Sequence, residues 1–328
     1  MSTPSRAAEH LGPRPSGPTG SREALSSWAV MDRIGLGLCW AAGVALCLIA
    51  AAIVGFMLFK GLQFLRPDLL VTSPVASQDQ SKSGGFLDPM VGTLILTTIG
   101  TAVAVPLGVA TAIWLSEYAR PFWLARAVES GVDIIAGTPS IVLAIFGLII
   151  FQQSFFGFLS FTAEGGAVFG RSFLTAGLMM SLIALPLIVA ATREALQSIP
   201  GHVREASYAL GKSKSATIRR VLIPAARPAI GTGAALGMGR IAGDTAIVVI
   251  LLGATALQAE GSTPLFGTLR GTGSTLTSYV YNNSPAGEGN APEKAYAAAF
   301  VLLLIVIFLN FSIDTIAGRR KMEAAWKG

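Results

Sequence analysis

A chain of 328 residues that is 52% hydrophobic and only 13% charged, with mean hydropathy +0.62, is excluded from the ordinary water-soluble domains. The net charge of +6 does not point to nucleic acid, because the basic residues gather in loops assigned to one side, as orientation signals do. The two cysteines, Cys39 and Cys47, share one apolar run, which excludes a disulfide framework and leaves both as small core or lipid-facing residues.

Residues 1–28 are rich in Pro, Gly and Ser, carry no hydrophobic period and read as a disordered cytoplasmic tail. Behind Arg22 and Arg33, the apolar run Ile34–Phe59 is 26 residues long, enough to cross a bilayer with some tilt. It is too long for a cleaved signal core and lacks a small-x-small site after it, so a signal anchor is expected, with the first transmembrane helix at 29–60. Lys60–Asp88 is predicted to lie outside. Met90–Leu115 is the second predicted span, broken by Pro106, and Ser116–Ser130 returns inside. Val132–Phe151 is the third, with Gly137-Thr138-Pro139-Ser140 near its inner start. A short outer loop containing Gly165 and Gly166 leads to the fourth, Ser172–Ala191, kinked at Pro186. Ala229–Leu252 is the fifth, Ala254–Lys294 a long outer loop, and Ala295–Ala317 the sixth.

The fold class is therefore all-α: an integral membrane protein with six transmembrane helices, a core at 61–318 and a cytoplasmic tail at 319–328. Charge sets its orientation. Arg6, Arg14, Arg22, Arg33, Arg120, Arg126, the basic loop 193–228 and Arg319-Arg320-Lys321 with Lys327 fall inside. Only Lys60, Arg66, Lys82, Arg171, Arg270 and Lys294 fall outside, so both termini are predicted cytoplasmic.

Loop 193–228 is the most basic stretch, with Arg193, Arg204, Lys212, Lys214, Arg219, Arg220 and Arg227. Pro200 can occupy the first turn of a short helix, and Gly211 can end it as the left-handed cap. Val203, Ala206 and Leu210 make one narrow apolar stripe between them. Ser213 or Ser215 can cap a second short helix that Pro224 stops. Such a knob is either a docking element or a solvated loop that obeys the positive-inside rule.

Its spacing resembles a known signature. Glu205-Ala206-Ser207, three residues, Gly211, nine residues, then Val221-Leu222-Ile223-Pro224 is similar to the EAA loop of ABC-importer permeases. Ser207, Val221 and Ile223 depart conservatively from it. The resemblance implies that residues 201–211 form the coupling helix that seats in a cleft of a cytoplasmic ATPase, with Glu205, Ala206, Ser207, Gly211 and Pro224 as the ATPase-coupling set.

The fifth predicted span carries an ionic feature, Arg240 and Asp244, whose i, i+4 spacing puts both on one helical face. A charge at mid-bilayer costs about 2.5–3.5 kcal/mol on insertion scales, so it faces protein or water and has a partner. One reading is a self-neutralising pair that steadies packing. The other is a fixed positive charge on a translocation path, balanced by Asp244, where the planar donor fork of Arg240 suits an oxyanion. Gly233/Gly237 and Gly239/Gly243, each four apart, allow close helix approach, expected across a subunit interface.

Arg240-Ile241-Ala242-Gly243-Asp244-Thr245-Ala246 resembles the R-A-x-G-E-T-A stretch of phosphate-type (PstA-like) ABC permeases. So do Gly84-Gly85 before Val91-Gly92-Thr93, Pro106-Leu107-Gly108, Leu115-Ser116-Glu117-Tyr118-Ala119, Gly137-Thr138-Pro139-Ser140-Ile141-Val142 and Ser278-Tyr279-Val280-Tyr281-Asn282-Asn283. Asp244 departs from the family's usual Glu. The resemblance implies a type I ABC-importer permease subunit, not itself an enzyme, in a bacterial inner membrane. It also implies Arg240 and Asp244 on the phosphate path, and as partners a second homologous permease, two ATPase subunits and an extracytoplasmic phosphate-binding protein. No cofactor is expected on this chain; ATP and magnesium belong to the partner subunits. A permease for another oxyanion or an organic solute, and an ATP-independent channel or ion-coupled carrier, are the alternatives.

Other motifs fail. Gly211-Lys212-Ser213 mimics the end of a P-loop but lacks the leading Gly and a preceding strand. His10 beside Glu9 and His202 near Glu205 fall short of a zinc ligand set. Asn282-Asn283-Ser284 is a formal glycosylation sequon with no bearing on the fold, and no nucleophile has a neighbouring base. Tyr279 and Tyr281 are expected in the interfacial belt.

Overall fold

The computed structural model describes residues 30–75, 84–160, 170–253, 264–287 and 291–317. The expected N-terminal tail, Lys82, Gly165, Gly166 and the basic cluster after Ala317 lie outside these described residues. The described secondary structure is helical throughout: α1 (Val30–Phe64), α2 (Pro67–Val71), α3 (Leu87–Ile113), α4 (Phe122–Gly137), α5 (Ser140–Phe151), α6 (Phe173–Ser198), α7 (Gly201–Ala209), α8 (Lys214–Thr217), α9 (Ile223–Gly243), α10 (Ala246–Leu251), α11 (Pro264–Arg270), α12 (Leu276–Asn283) and α13 (Pro292–Ala317). Among the described residues five helical runs are long and apolar enough to cross a membrane, or six if the bent pair α4–α5 counts as one span.

By contacts the chain forms two units, Met1–Phe56 and Met57–Gly328. The described part of the first is apolar helix whose side chains, Cys39 and Cys47 among them, are almost all exposed. The second is built on α3, α6 and α9. Its main core joins Leu96 and Ala104 of α3, Met180, Ala184 and Ile188 of α6, and Ile241 of α9, with Ile247 and Leu251 of α10. Gly233 and Gly237 face α6, where an added Cβ would lie 3.0 Å from the Cβ of Ala191 and 3.2 Å from the Cδ1 of Ile188. That pair is internal packing, whereas Gly239 and Gly243 meet nothing within 4 Å.

Several expected boundaries move. α3 runs unbroken through Pro106 and continues as a π-turn over Trp114–Tyr118. The third span is not one straight helix: α4 and α5 meet at Thr138-Pro139 with a bend of 111°. Pro139 pushes Thr138 out of the helical region (φ −81°, ψ 130°), and α5 restarts behind it. Ser116–Ser130, expected as a loop, is largely this π-turn and the start of α4. α6 passes through Pro186 and starts from a capping box in which Ser172 and Thr175 serve each other's backbone.

Pro224 does not stop a helix. A π-turn at Ile218–Leu222 joins α8 to α9 in one continuous helical run, and Pro224 follows directly on that widened turn. The fifth span ends early, at Gly243, and α10 follows after a two-residue break. The expected outer loop 254–294 contains α11 and α12, and α12 is packed into the body by Leu276, Thr277, Ser278 and Tyr279. Tyr279 is 2% exposed, with its ring 5.9 Å from that of Phe86, so it is a core residue and not part of a surface belt. Tyr281, in contrast, is exposed.

Candidate functional site

Two places on the second unit concentrate the polar chemistry: the hump between α6 and α9, and the break between α9 and α10.

The hump begins where Pro200 precedes α7 and ends where Leu210 and Gly211 leave it. Gly211 has φ +72°, the left-handed conformation that glycine adopts without steric cost, and the Lys212 amide folds back 3.2 Å to the Ser207 carbonyl. Ser213, and not Ser215, caps α8: its Oγ accepts the Ala216 amide at 3.3 Å. The helix is tied down from below. Ser207 is buried, and its hydroxyl lies 2.8 Å from that of Thr217. Thr217 also donates to the Ser213 carbonyl at 3.1 Å.

Arg204 anchors the other side. Its Nε donates to Glu117 Oε1 at 3.0 Å, its Nη1 to the Ile199 carbonyl at 2.8 Å and its Nη2 to the Leu196 carbonyl at 2.7 Å. Glu117 sits in the π-turn that ends α3, with only 7% of its side chain exposed. Lys214 Nζ donates to the Glu117 carbonyl and stands 4.7 Å from the centre of the Tyr118 ring. A hollow of about 690 Å³ opens there, lined by Trp114, Glu117, Tyr118, Arg120 and Lys214.

What the hump leaves uncovered is its outer side. Glu205, Ala206, Tyr208, Ala209 and Leu210 are exposed, Leu210 to 78%. The expected stripe is therefore split: Val203 is half-buried, while Ala206 and Leu210 face outward. His202 lies in α7 and is exposed. The structure thus brings Ser207 and Gly211 of the expected set into the hinge and leaves Glu205 and Ala206 on the free side. Pro224 stays outside, one π-turn further on.

The break is arranged differently from the sequence expectation. Arg240 and Asp244 do not share a helical face, because α9 ends at Gly243 and Asp244 is extended (φ −80°, ψ 131°). Asp244 turns inward and is 6% exposed. Its Oδ1 accepts the Ile247 amide at 3.0 Å, which caps the start of α10. Its carbonyl accepts Thr277 Oγ1 at 3.2 Å, and Thr277 lies 2.7 Å from Thr275 Oγ1. The Leu276 amide in turn donates to Thr93 Oγ1 of α3 at 2.9 Å. Arg240 points the other way: it is exposed, and among the described residues its guanidinium has no ion pair or hydrogen bond. The pair does not neutralise itself. An uncompensated arginine within a span is costly in lipid, so this face needs water, protein or an anion beside it.

Glu117, Arg204, Thr217 and Thr277 were not singled out as site residues from sequence. The only signal for Glu117 was its place in the Leu115-Ser116-Glu117-Tyr118-Ala119 motif, and nothing local linked it to Arg204.

A family model described as "Binding-protein-dependent transport system inner membrane component" matches residues 104–321. A probable ABC transporter permease protein of Bacillus subtilis, YqgH, is 31% identical over 288 residues, covering 85% of this chain and 89% of its own. Phosphate transport system permease protein PstA 1 of Mycobacterium tuberculosis is 32% identical over 243 residues, 73% of each chain. Phosphate transport system permease protein PstC of Xylella fastidiosa is 30% identical over 247 residues, 71% of this chain and 72% of its own. Among solved structures, a bacterial ABC transporter involved in the import of the acidic polysaccharide alginate superposes with a TM-score of 0.58 at 14% identity. That match covers 89% of this chain and 99% of that one. An inward-facing methionine ABC transporter superposes at 0.51 and 20% identity, covering 69% and 92%. These two likenesses concern the fold alone.

Proposed function

The chain belongs to the binding-protein-dependent transport system inner membrane components, and from that premise we propose that its cargo is inorganic phosphate. It is a multi-pass permease subunit of an ABC importer, not itself an enzyme. The observation that carries the phosphate reading is the exposed guanidinium of Arg240, unpaired among the described residues, beside the break in the fifth span. A planar donor fork on a polar path matches two oxygens of an oxyanion at once. Relatives that carry phosphate transport in their names support it.

In this reading Arg240 receives the anion, and Asp244 shapes the break that presents Arg240 to the path. Residues 201–211 dock into one of two ATPase subunits, which bind the ATP and magnesium, with Glu205, Ala206 and Leu210 as the free face. A second homologous permease completes the pathway, and an extracytoplasmic phosphate-binding protein delivers cargo. The Lys/Arg bias supports a cytoplasmic side for both termini and the hump.

The test is uptake by the reconstituted complex. Labelled phosphate should accumulate only with ATP and binding protein, and unlabelled phosphate should compete far better than sulfate or molybdate. Equal competition by all three would replace phosphate with a broader oxyanion cargo. Flux through the chain alone, without an ATPase, would instead indicate a channel or carrier.

A further inference from the structure

We propose that the Glu117–Arg204 pair is the strut through which movement of the hump reaches α3, making both positioning residues for transport. This deepens the reading above and rests on its placing the ATPase at α7.

The geometry is specific. One guanidinium touches three parts of the fold: it belongs to α7, two of its nitrogens reach carbonyls at the end of α6, and the Glu117 carboxylate meets it from the π-turn after α3. Glu117 and Arg204 are 87 positions apart in the chain. Nε donates to Glu117 Oε1 and Nη2 also stands 3.0 Å from that oxygen, so two guanidinium nitrogens converge on one carboxylate oxygen. The pair is shielded, with 22% and 7% of the two side chains exposed. A shielded, charge-assisted contact resists stretching better than an ion pair in water.

The mechanical consequence follows from what else holds the hump. The Ile199 and Leu196 carbonyls tie Arg204 only to α6, the helix that α7 already follows in sequence, and the Ser207–Thr217 bond ties α7 only to α8. The polar contact from α7 to the end of α3 runs through Glu117, with Lys214 of α8 on the Glu117 carbonyl beside it. α3 in turn packs along α6 and α9, where Ile241 lies against Gly100 one residue from Arg240. A pull on α7 thus reaches the end of α3 directly through the Glu117 side chain; without it, the routes left run indirectly through α6 and α8, and α7 can swing on its α6 tether.

The test uses the whole transporter in proteoliposomes, with parent, Glu117→Gln, Glu117→Leu and Arg204→Lys variants of this chain. Retention of the ATPase subunits is measured first, then phosphate taken up per ATP hydrolysed. Glu117→Leu should keep the ATPase bound yet lower uptake per ATP about ten-fold, within the range of ordinary coupling between sites. Glu117→Gln, which keeps an acceptor oxygen, should fall between it and the parent, and this near-isosteric variant decides if Glu117→Leu fails to assemble. Equal loss of uptake and hydrolysis, with an unchanged ratio, would make the pair a mere brace and overturn the proposal. A cargo-independent readout accompanies this: spin labels at Arg120→Cys and His202→Cys, with Cys39 and Cys47 replaced by Ser. Their separation should be the same without nucleotide and with ATP plus vanadate in the parent, and should change between those states in Glu117→Leu. An unchanged separation in the variant also overturns the strut. If the parent itself retains no ATPase, the docking reading falls and takes the strut with it; if the parent couples and Glu117→Gln couples equally, only the strut falls.

Discussion

Ser207 and Thr217, on the two short helices either side of Gly211, share a buried hydroxyl–hydroxyl hydrogen bond of 2.8 Å. The two ends of this bond are not equivalent. Thr217 has a second partner in the Ser213 carbonyl, whereas Ser207 has Thr217 alone among the side-chain bonds described. Ser207→Ala should therefore be mild, because Thr217 stays satisfied. Thr217→Val strands a buried hydroxyl and should cost about 1–3 kcal/mol. Thermal unfolding of the purified complex in detergent should rank Thr217→Val below Ser207→Ala, and the reverse order would show that this hinge is held otherwise.

Gly211 offers a second separation, between space and conformation. An added Cβ there meets nothing within 4 Å, so crowding inside the chain is not at issue. The φ of +72° is: a Leu at that position carries a strain of about 1–2 kcal/mol, while Asn enters the left-handed region more readily. Gly211→Leu should uncouple uptake from ATP hydrolysis by tilting α7, and Gly211→Asn should keep most of the uptake. Normal ATP-driven uptake by Gly211→Leu would remove the capped turn from the coupling mechanism.

At the break in the fifth span, Arg240→Gln should abolish uptake while the complex assembles normally, because the exposed guanidinium makes no ion pair or hydrogen bond within the described residues. Assembly is read by co-purification and transport by phosphate flux. Unchanged flux would leave Arg240 with no part in the pathway.

Asp244 should behave as a cap. Asp244→Asn keeps an oxygen for the Ile247 amide and should retain stability. Asp244→Ala loses it and should cost about 1 kcal/mol, a typical capping loss. Comparing thermal midpoints of the two variants checks this; equal losses would mean that charge, not the capping bond, is what the fold uses.

Burial pushes the Tyr279 phenol up to about 12 from its ordinary 10.0. The neutral phenol is thus favoured in the folded state. Its contribution to stability is full below pH 10 and is lost as pH rises from 10 towards 12. Among the described residues its hydroxyl is buried without a partner, so Tyr279→Phe should leave stability unchanged or slightly raised. Alkaline titration of tyrosine absorbance should lose its latest step in that variant.

The sequence by itself determined the membrane class, the rough position of each apolar run and the boundaries of the hump. Those features are written in near neighbours: run length, Pro200 ahead of a helix, and a Gly at 211 where the backbone must turn left-handed. It was silent wherever the outcome hung on a distant partner. Glu117 meets Arg204 across 87 positions, and Thr277 reaches the Asp244 carbonyl across 33. Helical periodicity put Arg240 and Asp244 on one face because it assumes an unbroken helix, and packing against α12 and the capping of α10 made the other choice. Hydropathy likewise could not distinguish a straight third span from two helices bent at Thr138-Pro139, nor an outer loop from the inserted α12. Local pattern encodes what a residue does to its own turn, whereas tertiary packing decides which buried polar group finds which partner.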